Sequence, residues 1–373
     1  KYFEVKQVYA PMTLKLNGNK LDIVLRDNMV EMQNYRLLYT ITENGKVIKK
    51  GEIKDLTVPS VKCNADADVR LNISVQLKSD TKWAKAGFEV RHEQFAINDK
   101  LSSAFKPAAL KTGRQADVKA AEEWFNAVKP HFYRAPMDND KGFGNWIAKD
   151  WKNNRLDNPE VVTVKPLSSK RNADGTVTVA VTQECRYANG KITADYVYTM
   201  DASGSVDFKA VYTPEGQLPP LPSVGNTFVL DKDMTQLSWY GRGLQDSYVD
   251  RLEATSIGRW TSSVPQEYVH YPRPQSSGNH EQTVTLSLTT AKGKGYTVTT
   301  ANGKPFSFSA LPYSEAQLST VAHDCDLQAE DNVYLNIDAR MMGLGNSSCG
   351  PGVLTKYSVP QEPHTLHLMF TRK

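Results

Sequence analysis

Strict alternation of apolar and polar residues is the feature that most limits what this chain can fold into. Leu71, Ile73, Val75 and Leu77 interleave with Asn72, Ser74, Gln76 and Lys78, and Tyr35, Leu37, Tyr39 and Ile41 repeat the pattern. Successive side chains of a strand point to opposite faces, so such a run offers one face to a core and one to water. Asn44-Gly45 follows the second run at once, and Asn17-Gly18 separates Leu14 and Leu16 from Leu21, Ile23 and Leu25. Asn-Gly accepts the positive φ angles of a tight hairpin turn. Residues 1–98 therefore read as a small antiparallel sandwich of about seven strands, the size of an immunoglobulin-like domain.

Residues 99–115 are polar, rich in Ser, Lys and Ala, and read as a linker. Val118, Ala121, Phe125 and Val128 then fall at helical spacing, with Asp117 as cap and Pro130 as stop, and they mark the single convincing helix. Strand patterns return at Val177, Val179 and Val181, at Ile192 to Tyr198, at Val206 to Tyr212 and at Val284 to Leu288. Tyr296 and Val298 are expected to pair with Phe306 and Phe308 across Asn302-Gly303. Val333, Leu335 and Ile337, then Leu366, Leu368 and Phe370, complete the series. Many short strands without interleaved helices make the class all-β, with residues 116–373 as one large antiparallel sandwich.

Composition removes several alternatives. A hydrophobic fraction of 40% and a charged fraction of 23% are those of an ordinary soluble protein. The net charge of +4 is spread out, and no Lys/Arg-rich run points to nucleic acid. No segment approaches the roughly 18 apolar residues of a membrane span. Residues 1–12 hold no signal-peptide core, and Lys at position 1 suggests a piece of something longer. Cytoplasm and periplasm both stay open as locations. Cys63, Cys185, Cys325 and Cys349 are scattered without a CxxC or Cys/His cluster, so no metal is expected and the thiols read as free and buried.

Three polar clusters interrupt the strands. Arg134-Ala-Pro-Met-Asp138-Asn139-Asp140-Lys-Gly142 is either an Asp-rich turn pinned by Arg134 or a surface loop reaching a ligand. Trp239-Tyr-Gly241-Arg-Gly243, with Asp246, Tyr248, Asp250 and Arg251, is either a corner where Asp250 and Arg251 pair or a place where a sugar ring stacks. Gly343 to Gly352 is a loop, because its glycines make helix or strand untenable. His364 and His367 fall on opposite faces of the last strand and do not chelate together. GxSxG, HExxH and phosphate-binding Gly loops are absent from the sequence.

These clusters carry a resemblance. Tyr133-Arg-Ala-Pro-Met-Asp-Asn-Asp-Lys-Gly142 resembles the signature opening the last domain of family-two β-galactosidases. Trp239 to Arg251 is similar to that family's second motif, with Leu244 and Asp246 where Pro and Glu are usual. Tyr268 to Gln275, Leu335-Asn336-Ile337-Asp338 and Met342 to Asn346 resemble its later motifs. Glu4 to Tyr9, Trp83, Ala86-Gly87 and Gln94-Phe95 resemble the sandwich that follows its catalytic barrel.

The resemblance implies a galactose mutarotase-like supersandwich after the immunoglobulin-like domain. It implies a non-catalytic carboxy-terminal fragment of a retaining enzyme that hydrolyses terminal β-D-galactosides. A retaining glycosidase works with two carboxyl groups about 5 Å apart. The implied pair are Glu residues of the missing barrel, so no catalytic residue is expected in this chain. Magnesium and sodium are implied mainly outside it, leaving no metal or cofactor here. Gly142, Phe143, Gly144 and Asn145 would match a mobile loop beside the galactose pocket, and two glycines flanking Phe143 suit a hinge. Cys349 stands near where relatives carry a stacking Trp. Arg134, Asp138, Asn139, Asp140, Trp239, Gly241, Gly243, Asp250, Arg251, Asn336 and Asp338 are carried over as structural motif positions. Expected partners are a galactoside, the missing barrel and, as an open expectation, further copies of the chain. The competing reading is a stand-alone carbohydrate-binding or assembly sandwich.

Overall fold

The computed structural model describes residues 2–26, 30–142, 147–345 and 352–373. A short helix, α1 (Tyr2–Val8), leads into β1 (Met12–Asn17) and β2 (Lys20–Leu25), which pair as a hairpin. Next come β3 (Tyr35–Glu43), β4 (Lys46–Ile53), β5 (Val69–Leu77) and β6 (Glu89–Asn98), in the sheet order β4-β3-β5-β6. Asn44 and Gly45 take φ of 47° and 78°, the left-handed pair that a two-residue turn between β3 and β4 requires. The inward residues of alternation, Ile41, Leu71, Ile73 and Val75 among them, form one core with Met12, Leu14 and Leu21 of the hairpin. This unit has six strands among the described residues where about seven are expected, and its first residues are helical.

Residues 99–115 carry no helix or strand, yet they are anchored. Leu101 is buried with Tyr240, Ile257 and Val284, and the Phe105 ring lies 4.6 Å from that of Tyr240. Helix α2 (Val118–Trp124) follows, capped by the Asp117 carboxylate, which accepts the amides of Lys119 and Ala120.

Strands β7 (Val128–His131), β8 (Glu160–Arg171), β9 (Val177–Arg186), β10 (Gly190–Met200) and β11 (Val206–Gly216) begin the large unit. It continues with β12 (Ser223–Asp231), β13 (Gln236–Gly243), β14 (Ser256–Ser263), β15 (His280–Thr283) and β16 (Thr285–Thr289). It ends with β17 (Gly295–Thr300), β18 (Phe306–Leu311), β19 (Asn332–Met341) and β20 (His364–Arg372). Among them lie four one- or two-turn helices, α3 (Asp138–Lys141), α4 (Ile147–Asn153), α5 (Val264–Glu267) and α6 (Glu315–Thr320). Two sheets result, a nine-stranded one ordered β14-β13-β16-β17-β20-β11-β10-β9-β8 and a five-stranded one ordered β15-β18-β19-β12-β7. Val179, Phe208 and Leu368 from the first share a core with Phe228, Phe308 and Ile337 from the second, so the unit is a sandwich.

Four expectations need correction. The helix ends at Trp124, because that ring packs among Tyr198, Phe208, Phe228 and Phe370 and draws the chain into the sandwich. Val128 and Pro130 consequently lie in β7, an edge strand where the missing Pro130 N–H breaks no ladder. It is not the single helix, since the others are too short to show a helical period in sequence. Tyr296 and Val298 do not pair with Phe306 and Phe308: β17 lies between β16 and β20, whereas β18 lies between β15 and β19. The Asn302-Gly303 turn thus crosses between sheets, and β18, buried along its whole length, takes an interior place in the second. Finally, Cys185 is buried but Cys63 and Cys325 are exposed, the latter in a single 3-10 turn over Asp324–Asp326, and Cys349 lies outside the described residues.

Replacing Phe208, fully buried between the sheets, by Ala is expected to cost about 3–5 kcal/mol in urea denaturation. Val197→Ala, on the outer face of β10, is expected to cost no more than ~0.5 kcal/mol. Equal losses at the two positions would contradict this placement of the core.

Candidate functional site

One buried cation gathers the first and third sequence clusters. The Arg134 guanidinium is fully buried, and its Nη2 donates to both oxygens of Asp140 at 3.1 and 3.2 Å. It also donates to the carbonyls of Met342 at 2.9 Å and Gly343 at 3.2 Å. Asp140 in turn accepts the Met137 amide at 2.9 Å, which closes the α3 turn. A buried ion pair is tolerated when further hydrogen bonds support it, and here they engage both terminal nitrogens of Arg134, leaving its buried Nε without a partner among the described residues. Asn139 adds a bond from its side-chain nitrogen to the Leu344 carbonyl at 3.1 Å.

Asp250 brings in the second cluster. Its side chain is fully buried and accepts the Leu344 amide at 2.9 and 3.0 Å and the Gly345 amide at 2.9 Å. A Cβ on Gly343 would lie 2.6 Å from this carboxylate, so a larger residue there has no room. Arg251 reaches the carbonyls of Asp250 and Gly345 and stands 3.7 Å from the Asp250 carboxylate. The two residues do form a corner, but Asp250 spends its charge on loop amides more than on Arg251.

The joined clusters form one wall of a cleft of about 710 Å³. Met137, Asp138, Asn139, Asp246, Tyr248, Tyr271 and Leu344 line this side, and Phe3, Val5 and Val8 of α1 line the other. Seven residues cannot hold a helix alone. Glu4 fixes α1 by accepting the amides of Glu253 at 3.2 Å and Ala254 at 2.7 Å. Buried Gln7 exchanges hydrogen bonds with His92, and its carbonyl accepts from Arg91 at 2.6 Å. Burial pushes the Tyr271 phenol up to about 12, with the Asp246 and Asp138 charges adding, so its hydroxyl keeps its proton. Apolar residues on one wall and carboxylates with hydroxyls on the other suit a ligand bearing both an apolar face and hydroxyl groups.

A buried polar frame stands behind this wall. His131 Nδ1 lies 2.7 Å from Asp338 Oδ1, both side chains being buried. Asn336 accepts from Thr227 at 2.6 Å and donates to Ser309 at 3.1 Å. Glu315 accepts the Ala135 amide at 2.5 Å and so holds the residue next to Arg134. Burial raises the Glu315 carboxyl above its usual range despite His131 nearby, and burial likewise raises Asp338. Burial alone would lower His131, but the Asp338 carboxylate outweighs it and holds the imidazole above 6.5.

Several site positions fall elsewhere. Trp239 is buried, donates to the Arg242 carbonyl at 2.8 Å and packs its ring 4.3 Å from that of His280, away from the cleft. Gly241 and Gly243 exist for close approach: a Cβ would lie 2.5 Å from Thr283 Oγ1 in one and 2.6 Å from the Trp260 ring in the other. Phe143, Gly144, Asn145 and Cys349 lie outside the described residues, and Gly142 ends the described part of the first cluster. Sequence reasoning missed Glu315, His131 and the α1 wall. The Ser314-Glu-Ala-Gln317 pattern signals a helix start, which α6 confirms, but nothing in it announces that Glu315 reaches Ala135. Among the described residues no group of three or more His, Cys, Asp or Glu is placed to hold a metal ion.

The raised His131 has a direction in pH. A proton held more tightly in the folded state adds stability that is fully present below the unfolded value and is lost as pH rises through the folded one. Urea denaturation across the neutral range is therefore expected to show stability falling as pH rises above 6.5, and falling less in His131→Asn. Identical slopes in both proteins would exclude the proton from this frame.

Comparison with known proteins gives this geometry a context. Residues 99–371 match the family model described as Beta galactosidase small chain, and residues 26–98 match that of Beta-galactosidase, domain 4. The chain is 25% identical over 392 residues to a β-galactosidase of Priestia megaterium, covering 92% of this chain and 37% of the relative. It is 26% identical over 377 residues to one from Streptococcus thermophilus, covering 91% and 36%. It is 27% identical over 391 residues to one from Kluyveromyces lactis, covering 95% and 36%. The chain thus spans somewhat over a third of the length of these curated relatives. Among solved structures, the galactosidase domain of an α-galactosidase-sucrose kinase aligns at a TM-score of 0.34 and 10% identity, over 81% of this chain and 40% of that one. A putative aldose 1-epimerase from Escherichia coli K12 aligns at 0.30 and 11% identity, over 56% and 69%. At such scores neither likeness carries weight.

Proposed function

The chain belongs to the β-galactosidase small-chain family, and on that premise we propose that it is the non-catalytic carboxy-terminal part of a retaining β-galactosidase. In this reading it supplies the rim of the cleft in which a terminal β-D-galactoside is hydrolysed, together with the rigid support of that rim. The observation that carries the reading is the convergence of three motif clusters, through Arg134, Asp140 and Asp250, on one wall of a single cleft.

The reading divides the chemistry. The general acid and the nucleophile, which must stand about 5 Å apart, are assigned to residues outside this chain, and magnesium and sodium mainly to residues outside it. Each buried carboxylate behind the rim is already committed: Asp140 to Arg134, Asp250 to the loop amides, Glu315 to Ala135 and Asp338 to His131. Asp138, Asp246 and Tyr271 line the cleft, and their oxygens are of the kind that hydrogen-bonds sugar hydroxyls. Gly142 through Asn145 and the run from Gly345 to Cys349 are the segments assigned to the sugar-facing edge.

Incubated with o-nitrophenyl β-D-galactoside, the purified chain is expected to release no nitrophenol above the uncatalysed rate. Turnover that disappears when an Asp or Glu of this chain is replaced by its amide would overturn the proposal.

A further inference from the structure

The turn over residues 248–253 has two sides. Tyr248, Asp250 and Arg251 line the cleft, while Val249 and Leu252 line a second cavity of about 260 Å³. Glu281 of β15 lies in the wall of that cavity and is only 8% exposed. Its amide donates to Ser247 at 2.9 Å, and its Oε1 accepts from Asn279 at 3.1 Å. Two cations, Arg340 and Lys356, line the same space with Tyr357. Among the described residues Arg340 forms no ion pair, and Lys356 rests 4.6 Å from the centre of the Tyr357 ring. The next residue after Glu281, Gln282, takes a φ of 53°, a strained setting held by a bond from Arg242 at 2.6 Å.

We propose that this cavity binds a small oxyanion, with Glu281 as the hydrogen-bond donor at its floor and Arg340 and Lys356 as the charges at its mouth. An ionised glutamate here would cancel one of the two cations. Burial instead pushes the Glu281 carboxyl up to about 8, against the opposing bond from Asn279 and with the Asp338 charge adding to the rise. Arg340 on β19 and Arg242 on β13 lower it only in part, and Lys356 and Tyr357 face it from the 355–357 turn. A neutral carboxyl donates one O–H and leaves both cations uncompensated, which is the combination an oxyanion needs. The site also touches the cleft mechanically, because the Tyr357 carbonyl accepts the Gly343 amide at 3.0 Å, one residue before Leu344. The proposal stands apart from the saccharide reading of the cleft.

Sulfate is the probe, since it keeps its charge across the pH range used. Calorimetric titration of the full chain at constant ionic strength, with chloride as the balancing ion, is carried out on either side of the Glu281 titration. The wild type is expected to bind sulfate at about pH 6 and to bind it about tenfold more weakly at about pH 9.5, where the carboxylate repels it. Glu281→Gln keeps a neutral donor and is expected to bind at both values with less than about a threefold difference. Its thermal unfolding in chloride checks that it is folded. No sulfate binding by the wild type at the lower pH, or an undiminished pH dependence in Glu281→Gln, would overturn the proposal.

Discussion

The architecture of the cleft depends on buried charge being answered locally. Arg134 and Asp140 are withdrawn from water together, and the pair is tied to the carbonyls of Met342 and Gly343 and the amide of Met137. Asp250 does the complementary task by accepting the amides of Leu344 and Gly345. Hydrogen bonds to a charged group are worth about 1.5–3 kcal/mol each, and removing one partner of a buried pair costs about 3–5 kcal/mol. These terms exceed what a surface turn contributes by itself, so the three loops have one arrangement and the cleft wall has one shape.

The sandwich makes that arrangement rigid. Loops 134–142 and 342–345 run on from β7 and β19, which flank β12 in the five-stranded sheet, and loop 244–251 runs on from β13 in the nine-stranded one. Aromatic packing of Trp124 and Phe208 with Phe228 and Phe370 fixes the two sheets against each other. The opposite wall, α1, belongs to the small unit and is held by Glu4, Gln7 and Arg91. Polar contacts across the two units therefore set the width of the cleft, while apolar burial sets the position of each wall.

Much of this was legible in the sequence, and the rest was not for physical reasons. Alternation located β3, β5, β9, β10, β11 and β20, because a half-buried strand must place every second residue in the core. Asn17-Gly18 and Asn44-Gly45 located hairpins. Asn302-Gly303 announced a reversal equally well, but a turn signal does not say which sheet the next strand joins. Local composition separated the first and third polar clusters from the strands, whereas Trp239 to Gly243 of the second lie in β13, and resemblance grouped all three. That Asp250 would cap amides 94 and 95 residues away lay beyond any local pattern. The same holds for Glu315, whose amide partner is 180 residues earlier. Gly241, Gly243 and Trp239 read in sequence either as a corner or as a place where a sugar stacks, and in the structure they are close-packed positions of β13.

The most direct test of the account is amide hydrogen exchange at Leu344 and Gly345. These amides lie in a loop outside any strand, and their protection is predicted to come from the Asp250 carboxylate alone. In the wild type both should exchange slowly, and in Asp250→Ala both should exchange at close to the rate of an open chain while β20 keeps its protection. Unchanged slow exchange at the two amides in the variant would show that the cleft wall is held by something other than this carboxylate.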